Sequence, residues 1–516
     1  MEVEFKFQVP EDRLDAITAA LGSGDAERIR MEARYFDTGS GSLAKAGLAL
    51  RLRREGGRWV QTIKGQGSGP LGRLEDNVSL DHSGEAEPVP DPGLHKGTEV
   101  GKLLAAALKE GEAELVERFR TDISRLRRRD ELGRSLVEIA LDHGEVLVRH
   151  DPPAGPSTSP VCELELELVR GSMEDLVTLS KEWVAAYGLF VSDLSKAGRG
   201  ARLTGREPPA AVKAVRPRFS SHDLDRLPGA EIRRKVIAAC LAQVIPNASE
   251  VALGSEDVDI VHQLRVGIRR LRTALRELAP LARGINPAWE DALKNVFIEL
   301  GKSRDRELLQ STMFPMLEEA GGPRLQLPAE RGSEGSLPEA VRSSDFQLVL
   351  VALMGSATPP LQEHPARHRD GNDVADAGSN AGHDGAPGEA GSMLAARLGK
   401  LHRQVVKGAE AFDTLSADEQ HRVRKRLKRL RYLAEFVGPL FDAKAADKYI
   451  QALTPAQEAL GEFNDRNAAA ATLRELARKN PKAWFGVGWL AASHAKHMKQ
   501  SQRALKGIDS ARKFWK

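Results

Sequence analysis

The chain lacks long hydrophobic runs and cysteine-rich segments, and each absence excludes a class of protein. Its longest apolar stretch runs from Phe346 to Met354 with Gln347 inside it, far short of the roughly 20 residues that a membrane helix needs. Two cysteines, Cys162 and Cys240, cannot form a disulfide framework or a cysteine-rich zinc site by themselves. We therefore expect a cytoplasmic protein with no membrane partner.

The sequence also lacks a strong net charge and is poor in aromatic residues. Its 516 residues include 76 Lys and Arg against 73 Asp and Glu, so the net charge of +3 indicates no particular partner. Aromatic residues make up 5% of the chain, which disfavours the stacking platforms of nucleic-acid binders. The positions of the charges are therefore more informative than their total.

The hydrophobic pattern changes near residue 203. Up to that point short alternating runs have the two-residue period of strands, and beyond residue 217 apolar residues recur with helical spacing. The segment between them, 204–217, is rich in proline and is predicted to be a linker. Inside the helical region 218–510, residues 364–392 are mostly small or polar, which predicts a disordered insertion.

The strand-like runs confine their charged residues to one face, because successive side chains of a strand point to opposite sides. For a single strand, a solvated face laced with ion pairs is the ordinary explanation. Several such strands favour a closed antiparallel barrel whose polar faces line a common lumen. Carboxylates there would bind Mg²⁺ or Mn²⁺ and cations would bind phosphate, which fits a substrate of several linked phosphates. The predicted polar faces carry Glu2, Glu4, Lys6, Arg51, Arg53, Lys64, Arg73, Glu75, Glu163, Glu165 and Glu167.

An ordered set of motifs over residues 1–203 resembles the CYTH domain of the triphosphate tunnel metalloenzymes. The hallmark is Glu-x-Glu-x-Lys, here Glu2 to Lys6, and a departure is Asn77, where many members carry a second glutamate. The remaining motifs are Tyr35-Phe-Asp-Thr38, Leu50-Arg-Leu-Arg53, Thr62-Ile-Lys64, Arg73-Leu-Glu75, Glu138-Ile-Ala-Leu-Asp142, Glu163-Leu-Glu-Leu-Glu167 and Ser195-Lys-Ala-Gly-Arg199.

The resemblance implies an eight-stranded antiparallel tunnel that hydrolyses a triphosphate with Mg²⁺ or Mn²⁺. It implies metal ligands among Glu2, Glu4, Glu75, Asp142, Glu163, Glu165 and Glu167, substrate ligands Lys64, Arg73, Arg125, Lys196 and Arg199, and catalytic roles for Glu4, Lys6, Arg51 and Arg53. Lys6 is either another phosphate ligand, which we prefer, or, with a depressed pKa, a group that assists water. In the arginine-rich run of residues 118–129, strand parity leaves open whether Arg118 and Arg120 or Arg125 and Arg127 point inward.

The helical region contains a duplication that begins at His262 and His421. Each copy predicts an amphipathic helix with one apolar stripe and one basic stripe. A solvated face is the usual explanation of a charge run, but such runs normally mix signs, and residues 421–431 include no acid. A dense polyanion is therefore the favoured ligand. The basic positions are His262, Arg265, Arg269 and Arg272 in the first copy, and His421, Arg424, Lys425, Lys428 and Arg431 in the second.

This second region resembles the CHAD domain, a helical domain that commonly follows CYTH and is associated with polyphosphate binding. The expected fold class is α+β, with a β-tunnel in residues 1–203 and an all-α duplicated domain in 218–510. The expected function is hydrolysis of inorganic triphosphate together with polyphosphate binding, with possible association with polyphosphate granules. The alternatives are adenylate cyclase or thiamine triphosphatase activity of the same fold, or a polyphosphate-granule protein without catalysis.

Overall fold

The fold is α+β, as expected: a closed antiparallel barrel is followed by a helical region. The computed structural model describes residues 2–81, 87–110, 114–148, 157–205, 208–220, 222–328, 336–359 and 389–516. Eight strands form the barrel: β1 (Glu2–Gln8), β2 (Glu27–Thr38), β3 (Ala49–Glu55), β4 (Arg58–Gln66), β5 (Gly72–Leu80), β6 (Leu115–Leu132), β7 (Ser135–Val148) and β8 (Ser157–Arg170).

The first strand closes the barrel. Neighbouring strands follow the order β5-β4-β3-β2-β6-β7-β8-β1, and β1 returns to β5. Glu2 pairs with Arg73 of β5, whereas Glu4 and the residues after it pair with β8, where Glu4 faces Glu167. A short ninth strand, β9 (Phe190–Val191), pairs with the end of β1. Because the sheet closes on itself, one face of every strand points inward, and the polar faces enclose a lumen.

Helices cover the outside of the barrel and build the rest of the chain. They are α1 (Leu14–Leu21), α2 (Ser42–Lys45), α3 (Glu99–Glu110), α4 (Met173–Tyr187), α5 (Lys196–Leu203), α6 (Asp223–Arg226), α7 (Gly229–Ala252), α8 (Val258–Glu277), α9 (Trp289–Leu308), α10 (Phe314–Glu319), α11 (Leu337–Arg342), α12 (Ser344–Ala357), α13 (Glu389–Glu410), α14 (Ala417–Val437), α15 (Ala443–Ala477) and α16 (Trp484–Lys506). In the described part of the chain, none of them is long and apolar enough to cross a membrane.

The apolar faces of the strands pack under these helices, as strand alternation predicts. Phe5 and Phe7 of β1 are completely buried. Leu50 and Ile63 pack in one cluster with Leu104 of α3. The polar lumen is thus held in place by an apolar outer shell.

The chain forms two compact units whose boundaries do not follow the sequence order. The first unit comprises Met1–Lys213, Leu241–Ile260 and Leu337–His364. The second comprises Ala214–Cys240, Val261–Ser336 and Pro365–Lys516. In the first unit α12 packs on α4. Gly355 permits this close approach, since a Cβ atom there would lie 2.3 Å from Val177 Cγ2.

The second unit contains the duplication. The apolar stripes of α8 and α14 are buried, with Leu264 and Leu430 both fully inaccessible. Arg270 of α8 donates to Glu435 of α14 at 2.5 Å and lies over the ring of Phe436. The predicted insertion falls mostly outside the described residues, but its last four residues, 389–392, form the first turn of α13.

Candidate functional site

The barrel lumen is a cavity of about 440 Å³ with charges of both signs on its wall. Its lining includes the cations Arg51, Arg53, Lys64, Arg125, Arg127 and Lys196 and the carboxylates Glu2, Glu55, Glu75, Glu138, Asp142, Glu165 and Glu167. Ten of the fifteen predicted tunnel residues line this cavity: Glu2, Arg51, Arg53, Lys64, Glu75, Arg125, Asp142, Glu165, Glu167 and Lys196. The other five are not among its described lining residues: Glu4, Lys6, Arg73, Glu163 and Arg199. Six cations against seven carboxylates make a wall with little net charge.

At one side of the lumen the carboxylates are already paired with cations. Arg125 donates to Asp142 at 2.6 and 2.7 Å and to Glu165 at 2.6 Å. Lys196 lies 2.8 Å from Asp142, 2.9 Å from Glu163 and 3.3 Å from Glu165. Although burial opposes it, the charges of Lys196 and Arg125 hold the pKa of Glu165 well below its usual range. Asp142, Glu163 and Glu165 are therefore neutralised by the protein itself.

Helix α5 supplies two cations to this side of the barrel: Lys196, which lines the lumen, and Arg199, which contacts Glu163. Ser195 caps the helix by accepting from the Gly198 N–H at 3.0 Å, which fixes the first helical residue, Lys196. One turn later Arg199 donates to Gln8 at 2.8 Å and lies 3.4 Å from Glu163. Lys196 and Arg199 thus act from a helix rather than from a strand.

At the other side the carboxylates crowd one another. Lys64 lies 3.0 Å from Glu2 and 2.5 Å from Glu75. Burial and the carboxyl groups of Glu75 and Glu4 nevertheless raise the pKa of Glu2 to about 9. Burial also raises the pKa of Glu167, and the charge of Glu4 adds to that effect. Although burial opposes it, the hydrogen bond to Glu2 and the charge of Lys64 lower the pKa of Glu75 to about 2, so that at neutral pH Glu2 keeps a proton beside an ionised Glu75. We call these crowded residues the carboxylate cluster (Glu2, Glu4, Glu75 and Glu167).

The arginines of β3 have the opposite imbalance. Burial and the charges of Arg51 and Arg125 lower the pKa of Arg53 to about 10, although Glu55 lies 2.7 Å away. Arg51 donates to the hydroxyl of Tyr35 at 3.3 Å. Among the described residues its Nε atom is buried without a hydrogen-bond partner. Phosphate oxygens would satisfy such donors.

Two predicted residues bind main-chain oxygens. Lys6 donates to the Leu194 carbonyl at 2.7 Å, and burial lowers its pKa despite the nearby charge of Glu163. Arg73 donates to the carbonyls of Gly72 at 3.0 Å and Pro70 at 3.3 Å. Both alternatives for Lys6, phosphate ligand or group that assists water, therefore stay open.

The structure resolves the parity of the arginine-rich strand. The pairing of β2 with β6 shifts between Tyr35 and Phe36, whose partners are Phe119 and Glu117, so Arg118 has no opposite residue in the ladder. Beyond this bulge Arg125 and Arg127 line the lumen, whereas Arg120 pairs with Glu87 and Glu117. Of the two alternatives that strand parity left open, Arg125 and Arg127 are therefore the arginines that face the lumen.

Several residues of the wall have no role in the sequence prediction. Tyr35 and Glu138 lie in motifs of the resemblance without an assigned role, Arg127 was left as an open alternative, and Glu55 was not predicted, yet all four line the cavity. Glu138 faces Glu167 across the β7–β8 pair and lies 2.9 Å from Arg129. The signal for Glu138 was available, since it shares strand parity with Asp142.

The donor set suits a hard divalent cation, which prefers carboxylate oxygens. The crowding that raises the pKa of Glu2 and Glu167 is the charge imbalance that such a cation would relieve. As they stand, the described residues include no group of three His, Cys, Asp or Glu side chains arranged to hold a metal ion. The side chains of the carboxylate cluster are the ones that would hold such an ion.

A second group of charges lies in the second unit, where the two basic stripes converge. Arg265 and Arg269 of α8 and Arg424 and Lys428 of α14 interact electrostatically with one another. We call these four residues the cation cluster. Two carboxylates accompany it: Asp305 of α9, and Asp465 of α15 at 3.9 Å from Arg424. These aspartates occupy equivalent positions in the two copies of the duplication.

The cation cluster is partly buried and electrostatically strained. Burial and the charges of Arg269 and Arg424 lower the pKa of Lys428 to about 6. Within the described part of the chain, the buried Nε atoms of Arg265 and Arg424 have no hydrogen-bond partner. Arg265 also lies over the ring of Phe297, 4.9 Å from its centre. Like charges held together in this way favour an anionic ligand.

The other predicted basic residues have protein partners or face solvent. Arg272 lies 2.6 Å from Glu290, and Arg431 lies 2.7 Å from Glu435. His421 contacts the Asn464 side chain at 3.2 Å, and Lys425 is exposed. His262 lies on α8 one turn before Arg265. The structure thus brings four of the nine predicted residues into one cluster.

Comparison with known proteins identifies two domain families along the chain. The family model of the CYTH domain matches residues 1–201, and that of the CHAD domain matches residues 235–474. The chain is a CYTH–CHAD protein. An uncharacterized protein of Mycobacterium tuberculosis is 26% identical to this CYTH–CHAD protein over 499 residues, which cover 90% of this chain and 86% of the relative.

Two further proteins are similar to parts of this CYTH–CHAD chain. An inorganic triphosphatase of Haemophilus influenzae is 27% identical over 176 residues, which cover 34% of this chain and 46% of that protein. The crystal structure of the CHAD domain from the plant Ricinus communis matches with a TM-score of 0.45 and 23% identity, covering 59% of this chain and 98% of that one. The CYTH domain and the triphosphatase relative support a hydrolase-type activity in the tunnel.

Proposed function

We propose that the barrel hydrolyses inorganic triphosphate with Mg²⁺ or Mn²⁺. The observation that carries the proposal is the two-sided imbalance of the lumen. The carboxylate cluster crowds its carboxyl groups in a buried place, so that the pKa of Glu2 rises to about 9, and the buried guanidinium groups of Arg51 and Arg53 lie close enough that the pKa of Arg53 falls to about 10. A metal–triphosphate complex brings a cation and a linear anion together and so complements both sides.

In this proposal the existing ion pairs decide which lumen residues bind the metal and which bind phosphate. Glu2, Glu4 and Glu167 are the preferred metal ligands, because Asp142, Glu163 and Glu165 are engaged by Arg125, Lys196 and Arg199. When bound, the metal would polarise a phosphoryl oxygen and supply an activated water. Arg51, Arg53 and Lys64 would bind phosphate oxygens and stabilise charge on the leaving group.

The test is phosphate release from tripolyphosphate, ATP and thiamine triphosphate, each with Mg²⁺, with Mn²⁺ and with excess chelator. We expect the highest kcat/KM for tripolyphosphate and no turnover in chelator. A preference for ATP or thiamine triphosphate would assign the tunnel to a nucleotide or thiamine substrate instead. Tripolyphosphate hydrolysis that survives the chelator would contradict the metal-dependent mechanism.

We also propose that the helical region binds inorganic polyphosphate at the cation cluster. The unpartnered Nε atoms of Arg265 and Arg424 and the depressed pKa of Lys428 support an anion there. Polyphosphate offers dense charge without bases, and the cluster offers an arginine-flanked phenyl ring rather than a row of stacking aromatics. Titration with polyphosphate and with single-stranded DNA of equal charge tests this; stronger binding of DNA would overturn the assignment.

A further inference from the structure

A short stretch of main chain between α4 and α5 connects the lumen to helices from much later in the sequence. We call it the connecting segment (residues 190–195); it begins with β9 and ends at Ser195, which caps α5. On its inner side the Ser192 N–H donates to the Lys6 carbonyl at 3.0 Å. The Leu194 carbonyl accepts from the Lys6 ammonium at 2.7 Å. The segment therefore holds Lys6 directly and sets where Lys196 enters the lumen.

Two buried side chains hold the other side of the connecting segment. The Val191 N–H, which points away from β1, donates to the Gln347 side-chain oxygen at 2.8 Å. The Asp193 N–H donates to the Ser249 hydroxyl at 3.1 Å. Gln347 lies on α12 and Ser249 on α7, and both side chains are 1% exposed. Gln347 and Ser249 both belong to the same compact unit as the barrel, which includes α12 and the part of α7 from Leu241 on.

The orientation of Gln347 is fixed by its second hydrogen bond. Its amide nitrogen donates to the Val341 carbonyl at 2.7 Å. Arg342, the next residue, donates to the Ala252 carbonyl at 2.7 Å and lies over the ring of Phe190. A buried amide is costly unless it is fully hydrogen-bonded, and α12 is otherwise mostly apolar. Packing alone would be served by an apolar residue here, so the amide indicates a specific link to Val191.

We propose that Gln347 and Ser249 are positioning residues for the Lys6 and Lys196 side of the lumen. They act through the connecting segment: a shift of its main chain moves the Leu194 carbonyl, and with it Lys6, and displaces the first turn of α5. The inference rests on the proposed triphosphatase activity for its kinetic readout. Through this role, Ser249 on α7 and Gln347 on α12 would influence how phosphate is positioned in the barrel.

The experiment compares Gln347→Met and Ser249→Ala with a matched control in the full-length chain. Methionine has a similar volume to glutamine but leaves the Val191 N–H without its acceptor. We expect kcat/KM for tripolyphosphate to fall about 10-fold or more, because displacements near 1 Å at a reacting centre can cost about 100-fold. The control, Thr358→Val, removes a buried hydroxyl that donates to Met354 on the same helix at 2.8 Å. It should lower Tm without changing kcat/KM.

A double-mutant cycle separates positioning from general destabilisation. In a Lys6→Met background, Gln347→Met should lower kcat/KM less than in the wild type, because one of the two groups it positions is gone. Equal losses in both backgrounds, or unchanged kcat/KM in both Gln347→Met and Ser249→Ala, would overturn the inference. If Gln347→Met does not fold, the same cycle is run with Ser249→Ala.

A catalytically inert wild type would contradict the proposed function rather than this inference. In that case the readout becomes the affinity for tripolyphosphate, measured by titration calorimetry. The positioning role requires weaker binding by Gln347→Met and Ser249→Ala than by the wild type and Thr358→Val. Equal affinities across the four proteins would overturn it.

Discussion

The barrel lumen and the cation cluster both concentrate charge, but they balance it differently. In the lumen, Asp142 and Glu165 are matched by Arg125 and Lys196 at distances below 3 Å. In the cation cluster, four basic residues have two aspartates nearby, and Asp465 is 3.9 Å from Arg424. The first site is largely neutral before a ligand arrives, whereas the second remains positively charged.

This difference predicts different behaviour toward ligands. A ligand that enters the lumen must either displace the existing ion pairs or match their positions. This requirement suits a site that acts on one small substrate. Unbalanced positive charge attracts any dense anion and is strongly screened by salt. We therefore expect the lumen to select its ligand and the cation cluster to bind anions less selectively.

The largest expected effect concerns the carboxylate cluster. Glu4→Gln removes one charged ligand and should reduce tripolyphosphate turnover by at least about 100-fold, the scale of losing an electrostatic group that acts in the transition state. Steady-state kinetics with saturating Mg²⁺ measures it. The control is Glu131→Gln, which changes an exposed carboxylate of β6 near Arg170. Comparable rates for Glu4→Gln and wild type would show that the lumen does not need this carboxylate.

A smaller effect is expected at the cation cluster. The double variant Arg424→Ala/Lys428→Ala should weaken polyphosphate binding by about 10-fold and reduce its salt dependence, because fewer counterions are released. The triphosphatase rate should not change. The double variant Arg422→Ala/Arg478→Ala removes the same charge from exposed positions. If both double variants lose affinity equally, net charge rather than the cluster determines binding.

The smallest effect is a proton taken up on binding. Because the pKa of Lys428 is about 6, this side chain is neutral in most molecules at pH 7.5. A bound polyanion should restore its proton. Calorimetry in buffers of different ionisation enthalpy should detect uptake of about one proton, and affinity should increase as the pH falls from 8 to 6. Lys428→Met should abolish the uptake; unchanged uptake would assign the proton to another group.

The same group gives a stability prediction whose sign follows from linkage. Between pH 6 and the ordinary lysine pKa of about 10.4, the unfolded chain holds a proton on Lys428 that the folded chain has released. Folding stability should therefore increase with pH across this window. Denaturant unfolding at several pH values should show a flatter profile for Lys428→Met than for the wild type. Parallel profiles would contradict the depressed pKa.

Strand parity explains why much of the lumen could be predicted. A two-residue period places Glu2 and Glu4 on one face of β1 whatever the surrounding fold. Closure of the barrel then brings this face together with the polar faces of the other strands. Parity alone did not decide which arginines of β6 face the lumen, because both faces of this strand carry them: Arg125 and Arg127 line the cavity, whereas Arg120 pairs with Glu87 and Glu117. It also could not reveal Gln347, which in the sequence only interrupts an apolar run.

The helical region was less predictable for a physical reason. Helical periodicity identified the basic stripes of α8 and α14, but periodicity does not show which residues of a stripe meet across two helices. Arg272 and Arg431 belong to the stripes by spacing, yet each pairs with a nearby carboxylate. Likewise, composition placed a boundary near residue 203, while the compact unit around the barrel also includes residues from 241–260 and 337–364.

The pairing of β1 with β8 has a consequence for how the chain matures during synthesis. Glu4 pairs with Glu167, more than a hundred residues later in the chain, and the Val191 N–H donates to Gln347, which is synthesised later still. A protein made from its N-terminus on the ribosome therefore leaves the part of β1 from Glu4 to Gln8 without its β8 partner until β8 has been synthesised. Such long-range contacts slow folding and prolong exposure of strand edges. The order of synthesis thus delays completion of the lumen until the middle of the chain has emerged.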